Sequence, residues 1–289
     1  MSVTIDIIIP TIGTRAAELD RAIASILGQV GVQAVPLLVV NGNRFDADLV
    51  ARLAARPDLR LIQIAQPGVS HARLVGRRHV EAPLFSFLDD DDELLPEAMQ
   101  IRLDGMADPR VDAVATNGWR ETRTGRQPHF QNLAQLPEDP ALALLKNQWL
   151  ASAGGLYRSA SITEADLRDL PDYLEITKFA FHLALTKTVA RIDQPTFIKY
   201  EISDDQVSIS RRYREAVPQV LRDMMAMTDR ADLRTLLRRR HAAALHACSR
   251  GARKDGQMGA AWRYHLQSLR AGGWRYLSYS RHLLMPLRT

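Results

Sequence analysis

The stretch "LFSFLDDDDELLPEAM" (residues 84–99) sets an apolar run of strand type directly against four consecutive aspartates. Adjacent carboxylates repel, and each raises the cost of ionising its neighbours unless a cation or a helix N-terminus offsets the charge. Two compensations fit. Leu94, Pro96 and the run through Leu103 read as a helix whose free N–H groups aspartates would cap, which accounts for one or two of the four. The alternative is a divalent cation held by carboxylate oxygens at a strand end, chemistry that suits Mg2+ or Mn2+.

Outward from this run, the first half of the chain alternates short apolar segments with helix-period ones, the pattern of an α/β sheet. "VTIDIIIP" (3–10), "PLLVV" (36–40), "LRLIQIA" (59–65) and "LFSFL" (84–88) read as strands. Leu19, Ile23, Ile26 and Leu27 share one helical face, a short helix falls around 46–56, and Ser70 caps another running to about Val80. Ligands of open α/β sheets bind outside the carboxyl ends of the strands. Pro10-Thr11, Asn41-Gly42 and Asp89–Asp92 all stand at such ends, which favours a site over a cap. "VDAVAT" (111–116) reads as a further strand, 117–140 as irregular, and 141–151 and 174–187 as helices; from Arg214 onward the pattern is helical and arginine-rich.

The 289 residues, 46% hydrophobic and 25% charged, suit one large or two modest globular domains. No apolar stretch approaches the ~20 residues that span a bilayer, and "MSVTIDIIIPTIG" lacks the flank and cleavage region of a signal peptide. With a single cysteine, Cys248, an internal disulfide is excluded and a reducing cytoplasmic setting is expected. Residues 211–289 carry 17 Lys/Arg against 5 Asp/Glu, while residues 1–210 carry 21 against 28. An acidic body that holds the chemistry and a basic helical tail that faces an anionic partner follow from this division.

In order and spacing, "IDIIIPTIGTRAAELDRAIASILGQ", "PGVSHARLVGRRHV" and "SFLDDDDELLPEAM" resemble the opening strand and helix, the Ala-Arg segment and the aspartate motif of the family 2 glycosyltransferases. The resemblance runs over about residues 3–210. It implies a GT-A fold, an α/β domain with a mostly parallel central sheet flanked by helices, spanning 1–210 with a nucleotide-sugar half to about 117 and an acceptor half over 118–210. Residues 211–289 form a basic helical extension. The implied reaction moves a sugar from a nucleotide donor, UDP- or dTDP-linked, to a hydroxyl of a saccharide or lipid-linked acceptor, with inversion, in cell-surface polysaccharide or glycoconjugate synthesis.

Carried over residue by residue, the resemblance makes Asp89 and Asp91 the D-x-D pair, with Asp91 near the donor, and Asp92 the metal ligand beside it. Asp90 and Glu93 are left to solvent or to the helix cap. Pro10, Thr11, Asn41 and Arg73 line the nucleotide sugar, and Glu175 or Asp172 serves as base. Mg2+ or Mn2+ bridging the diphosphate would stabilise its departure. Four positions depart from the family pattern: Gly42 where a second aspartate is common, Leu74 for Asn, Ile176 for Asp, and Ser203 near a customary histidine. A sugar-phosphate nucleotidyltransferase and a non-catalytic nucleotide-binding protein recruited to a membrane remain the alternatives.

Residues 260–289 combine Trp262, Trp274, Tyr276 and Tyr279 with arginines. They suit an anionic membrane surface on the inner face of the cell, or equally a cap on the body or a homodimer contact; no nucleic-acid partner is expected.

Overall fold

A computed structural model describes residues 2–201 and 210–284. The chain divides into two compact units, Met1–Ile202 and Ser203–Thr289.

The first unit is built on a nine-stranded sheet. Its opening half is β1 (Thr4–Thr11), β2 (Gln33–Asn41), β3 (Arg60–Ile64) and β4 (Leu84–Phe87), joined through α1 (Ala16–Leu27), α2 (Ala47–Ala54) and α3 (Val69–Arg78). All pairings among these strands are parallel, in the order β3-β2-β1-β4. Isoleucine-rich β1 lies at the centre, with Ile5, Ile7, Ile8 and Ile9 fully buried, as befits β-branched residues covered on both faces. Because the chain winds outward to β3 and then returns to the other side of β1, the strand order reverses between β1 and β4. A doubly wound sheet opens its ligand crevice at such a switch point. There Thr11 and the aspartates emerge.

Helix α3 lies close on this half. A Cβ on Gly76 would come within 2.4 Å of Ile8 Cγ2, so only glycine lets the helix approach β1 this closely. Arg73, about one turn earlier, is thereby held over the carboxyl end of the sheet.

The second half adds α4 (Ala98–Asp104), β5 (Glu93–Leu94), β6 (Ala113–Thr122), β7 (Gly125–Pro128), α5 (Pro140–Lys146), β8 (Gly155–Arg158), α6 (Glu175–Thr186) and β9 (Val189–Glu201). Strand β8 runs antiparallel to β4 and β6, β9 parallel to β6, and β5 and β7 antiparallel to β9 and β6. Two expectations change here. Leu94, expected to open a helix, pairs with Phe197 as a strand, as Glu93 before it does with Ile198, and the helix begins only at Ala98, with no side-chain cap. None of the four aspartates caps it. The stretch 117–140, expected to be irregular, continues β6 to Thr122 and turns back as the β7 hairpin.

Phe85, Phe87, Tyr157 and Phe179 form an aromatic cluster with ring centroids 5.1–6.4 Å apart. Fully buried Arg102 donates to Thr196 Oγ1 at 2.7 Å, to Ser86 Oγ and the Gly155 carbonyl at 3.2 Å, and to the Ala153 carbonyl, knitting α4 to the strands. With only neutral acceptors around it, burial pulls its pKa down to about 9.

In the second unit α7 (Arg211–Ala226), α8 (Ala231–Lys254) and α9 (Met258–Arg270) precede a 3-10 helix (Trp274–Tyr279) and α10 (Ser280–Leu284). Ser210 caps α7 by accepting from the Tyr213 N–H at 3.1 Å. Ser249 Oγ donates to the Ala261 carbonyl at 2.7 Å and Ser268 Oγ to that of Ala242 at 2.9 Å, bonding α8 to α9. Trp262 and Tyr279, grouped with the membrane-facing aromatics in the sequence, pack instead on the small core of Ala252, Ala261 and Leu283. No described helix is long and apolar enough to cross a membrane.

Candidate active site

Each aspartate after β4 has a different partner. Asp89 Oδ1 accepts from Arg73 Nη2 at 2.7 Å and from Ser152 Oγ at 2.9 Å. The other guanidinium nitrogen, Nη1, donates to Glu175 Oε1 at 2.7 Å, and Nη2 also reaches Ser152 Oγ at 2.7 Å. Arg73 is fully buried, with its guanidinium 5.7 Å from the Phe87 ring centroid. Burial pushes the Asp89 carboxyl up, but the charges of Arg73 and Lys199 and the hydrogen bonds outweigh it and hold the group below the usual carboxylate range. Thus Asp89, Arg73 and Glu175, 102 residues apart in sequence at the extremes, form one ionic knot.

Asp90 is buried too, not solvated. Its Oδ2 accepts from Thr11 Oγ1 at 2.6 Å, its Oδ1 is bonded by Arg15 Nη2, and Arg15 Nη1 bonds Asp91 Oδ2. Burial first, then the charges of Asp91 and Asp89, push its carboxyl up to about 6 against the pull of Thr11 and Arg15. The folded chain therefore holds this proton more tightly than the unfolded one, so ionised Asp90 costs stability above about pH 6, and the cost disappears as pH falls toward 4. Asp90→Asn is expected to gain about 1–2 kcal/mol at pH 8, less than the ~3 kcal/mol of the full shift because the Arg15 ion pair weakens. Urea unfolding of both proteins at pH 8 and pH 4 checks this: the difference should vanish at the lower pH.

Asp92 is the least compensated. It is 3% exposed, and the one hydrogen bond to its carboxylate among the described residues is a long one, 3.4 Å from the Tyr200 N–H. Burial and the Asp89 charge drive its carboxyl well above the usual range, opposed by Lys199, whose own pKa rises against Asp92 and Asp89. Asp91 remains open to solvent, with 38% of its side chain exposed.

The strand-end residues are held within this edge by their own contacts. Pro10 lies buried within β1, and Thr11 commits its hydroxyl to Asp90 and accepts from the Gly13 N–H at 2.9 Å. Asn41 clamps backbone at both ends of its amide, donating to the Thr11 carbonyl at 2.8 Å and accepting from the Gly68 N–H at 3.0 Å. Gly42 beside it takes φ +84°, a conformation that favours glycine. Asp172 is exposed and lies beside Gly68, where a Cβ would stand 3.6 Å from Asp172 Oδ1. Leu174 adopts φ +59°, a conformation that costs a non-glycine residue of order 1 kcal/mol and sets Glu175 at the first turn of α6, against Arg73. Ser203 lies outside the described residues.

Sequence reasoning missed Arg15, Ser152 and Lys199. Arg15 had one local signal: an arginine at a helix N-terminus opposes the dipole, which points to a partner elsewhere.

The glycosyl transferase family 2 model matches residues 6–158, more than half of the chain. The chain belongs to glycosyl transferase family 2. As a glycosyltransferase of this family it shares the GT-A fold of S. aureus TarS. The crystal structure of TarS 1-349 superposes with TM-score 0.64 at 13% identity, covering 99% of this chain and 93% of that one. The complex of TarS 1-349 with UDP-GlcNAc gives 0.61 at 15%, covering 93% and 81%. A further crystal structure of S. aureus TarS matches with TM-score 0.55 at 14% identity and covers 86% of this family 2 chain but 44% of that one. No curated protein sequence matches significantly.

Proposed function

We propose that this glycosyltransferase moves a sugar from a UDP-linked donor to a hydroxyl of a saccharide acceptor in cell-surface polysaccharide synthesis, with inversion and with a divalent cation held at Asp91 and Asp92. The observation that carries the reading is Asp92: a buried carboxylate with one long hydrogen bond, at the switch point of a family 2 fold. Such a group has too little counter-charge, since Lys199 offsets burial and the neighbouring aspartates only in part. Likeness in fold to a protein crystallised with UDP-GlcNAc supports the choice of uridine.

The residues fit a cation of this kind. Among the described residues no group of three or more His, Cys, Asp or Glu side chains is arranged to hold a metal ion. Mg2+ and Mn2+ need no such cage at a nucleotide site, where one or two carboxylates are completed by substrate phosphates and water. When bound, the cation supplies charge to the departing diphosphate. Arg73 and Arg15 bond the carboxylates, and Phe87 of the aromatic cluster lies against the Arg73 guanidinium.

Asp172 and Glu175 divide the remaining work. Glu175 Oε1 is engaged by Arg73, so Glu175 positions the knot, whereas Asp172 is exposed with its carboxylate beside the α3 N-terminus. In this reading Asp172 removes the acceptor proton while the hydroxyl oxygen attacks the anomeric carbon and the bond to the diphosphate breaks. Asp172→Asn should lower kcat by about 10²–10⁴ with the melting temperature unchanged, as general-base removal at an exposed site does. An unaltered kcat in that variant would transfer the role to Glu175.

A further inference from the structure

The second unit has a strongly basic cleft. A cavity of about 750 Å³ is lined by Arg214, Arg250, Arg253 and Lys254. It shares His246, Tyr279 and His282 with a neighbouring cavity of about 440 Å³ that adds Arg275 and Arg281. Residues 240–284 carry eight Lys/Arg and a single acid, Asp255. Asp255 meets the Arg214 guanidinium at 3.5 Å, and none of Arg250, Arg253 and Lys254 has a carboxylate within ion-pair distance among the described residues. Like charges gathered with so little counter-charge repel, and a bound anion would relieve that repulsion.

The donors are also built in. Arg214 Nε and Arg253 Nε, and the ring nitrogen His246 Nδ1, are buried without a hydrogen-bond partner among the described residues; for the two guanidinium N–H groups this is an expensive state unless something accepts from them. Gly251 makes room for this: a Cβ there would stand 2.4 Å from Arg214 Cζ and Nε. His246 is stacked on Tyr276 with ring centroids 4.0 Å apart and planes inclined by 8°. Burial, then the charges of Arg250, His265 and Arg275, push its pKa down.

Beside the cleft, the wall helices turn apolar side chains outward. Trp274 is 68% exposed, Leu277 53% and Leu284 75%, on the same 3-10 helix and α10 that contribute Arg275, Tyr279 and Arg281. Arginines that converge on a cavity, rimmed by an exposed tryptophan and leucines, match a lipid–water interface, where the aromatic enters the headgroup layer and the basic groups take its phosphates.

We propose that this cleft binds the phosphoryl headgroups of an anionic lipid surface, with Trp274 and Leu277 entering the interfacial layer. The site stands independently of the donor chemistry.

The test is co-sedimentation of the full chain with phosphatidylcholine vesicles, with and without about 30% phosphatidylglycerol, at near-physiological salt. The wild type is expected to bind only the anionic vesicles. Arg250→Gln/Lys254→Gln, both at exposed positions, should weaken binding about 30-fold, since each basic group at the surface is worth about fivefold. Trp274→Ser should weaken it about tenfold. The control Arg238→Gln/Arg239→Gln removes the same charge from exposed positions of α8 outside the cleft and should do far less. Absence of binding to anionic vesicles, or equal losses in the two double variants, would overturn the proposal. Soluble polyphosphate bound as tightly as the vesicles, with no effect of Trp274→Ser, would assign the cleft to a free phosphate compound and overturn the lipid source.

Discussion

Arg73→Ala will destabilise the first unit by about 3–5 kcal/mol, because it removes one partner of a buried ionic knot and leaves the others unpaired. Arg73 supplies two hydrogen-bonded carboxylate contacts and one hydroxyl contact from a fully buried position. For a unit of this size the loss corresponds to a fall in Tm of about 6–20 °C. Lysine will not rescue it: a single ammonium cannot reproduce the planar fork that joins Asp89, Glu175 and Ser152.

The pH dependence provides a second sign. In the wild type Asp89 lies below its ordinary pKa and so adds stability above about pH 4, lost as pH falls through the lower folded value. Without Arg73, burial prevails and raises the same carboxyl. The variant should then regain stability as pH falls below neutrality, the reverse of the wild-type contribution. Thermal unfolding at pH 8 and pH 5.5 separates the cases, and a Tm within about 2 °C of wild type at pH 8 would contradict the assignment.

The same knot shows where sequence stops being informative. The parallel half was legible because β1 and β4 are mostly apolar runs, broken only by Thr4, Asp6, Thr11 and Ser86, and their helices keep a clean period. Strand β9 was not: "VARIDQPTFIKYE" mixes charges with Pro195, and only Thr196–Ile198 are buried. Its pairing with β6 shifts register around Asn117 and Pro195, an irregularity that absorbs the proline. The aspartate run announced a site, yet its compensating cations come from 75 residues upstream at Arg15, from Arg73 on α3, and from Lys199 on β9. No local pattern encodes such distances. Asn41, which the sequence offers to a nucleobase, has both ends of its amide on backbone, a fate that only the Thr11 and Gly68 geometry reveals.

Asp92→Asn carries the other large effect. Ionised Asp92 is buried with too little counter-charge, so the substitution should stabilise the ligand-free protein at neutral pH while abolishing cation-dependent binding of the donor. A residue whose removal stabilises the fold and destroys binding is kept for function, and a structural carboxylate would behave in the opposite way.

The decisive experiment is a thermal-shift measurement with UDP-sugars, in parallel with dTDP-, GDP- and CDP-sugars, with and without Mn2+, on the wild type and Asp92→Asn. At 100 times its dissociation constant a ligand adds about 2.7 kcal/mol, which raises the wild-type Tm by roughly 5–10 °C. The expected result is a shift of that size for a UDP-sugar, dependent on Mn2+ and absent in Asp92→Asn. No shift with any nucleotide sugar, or an equal shift in the variant, would contradict a donor and cation site at the aspartate edge.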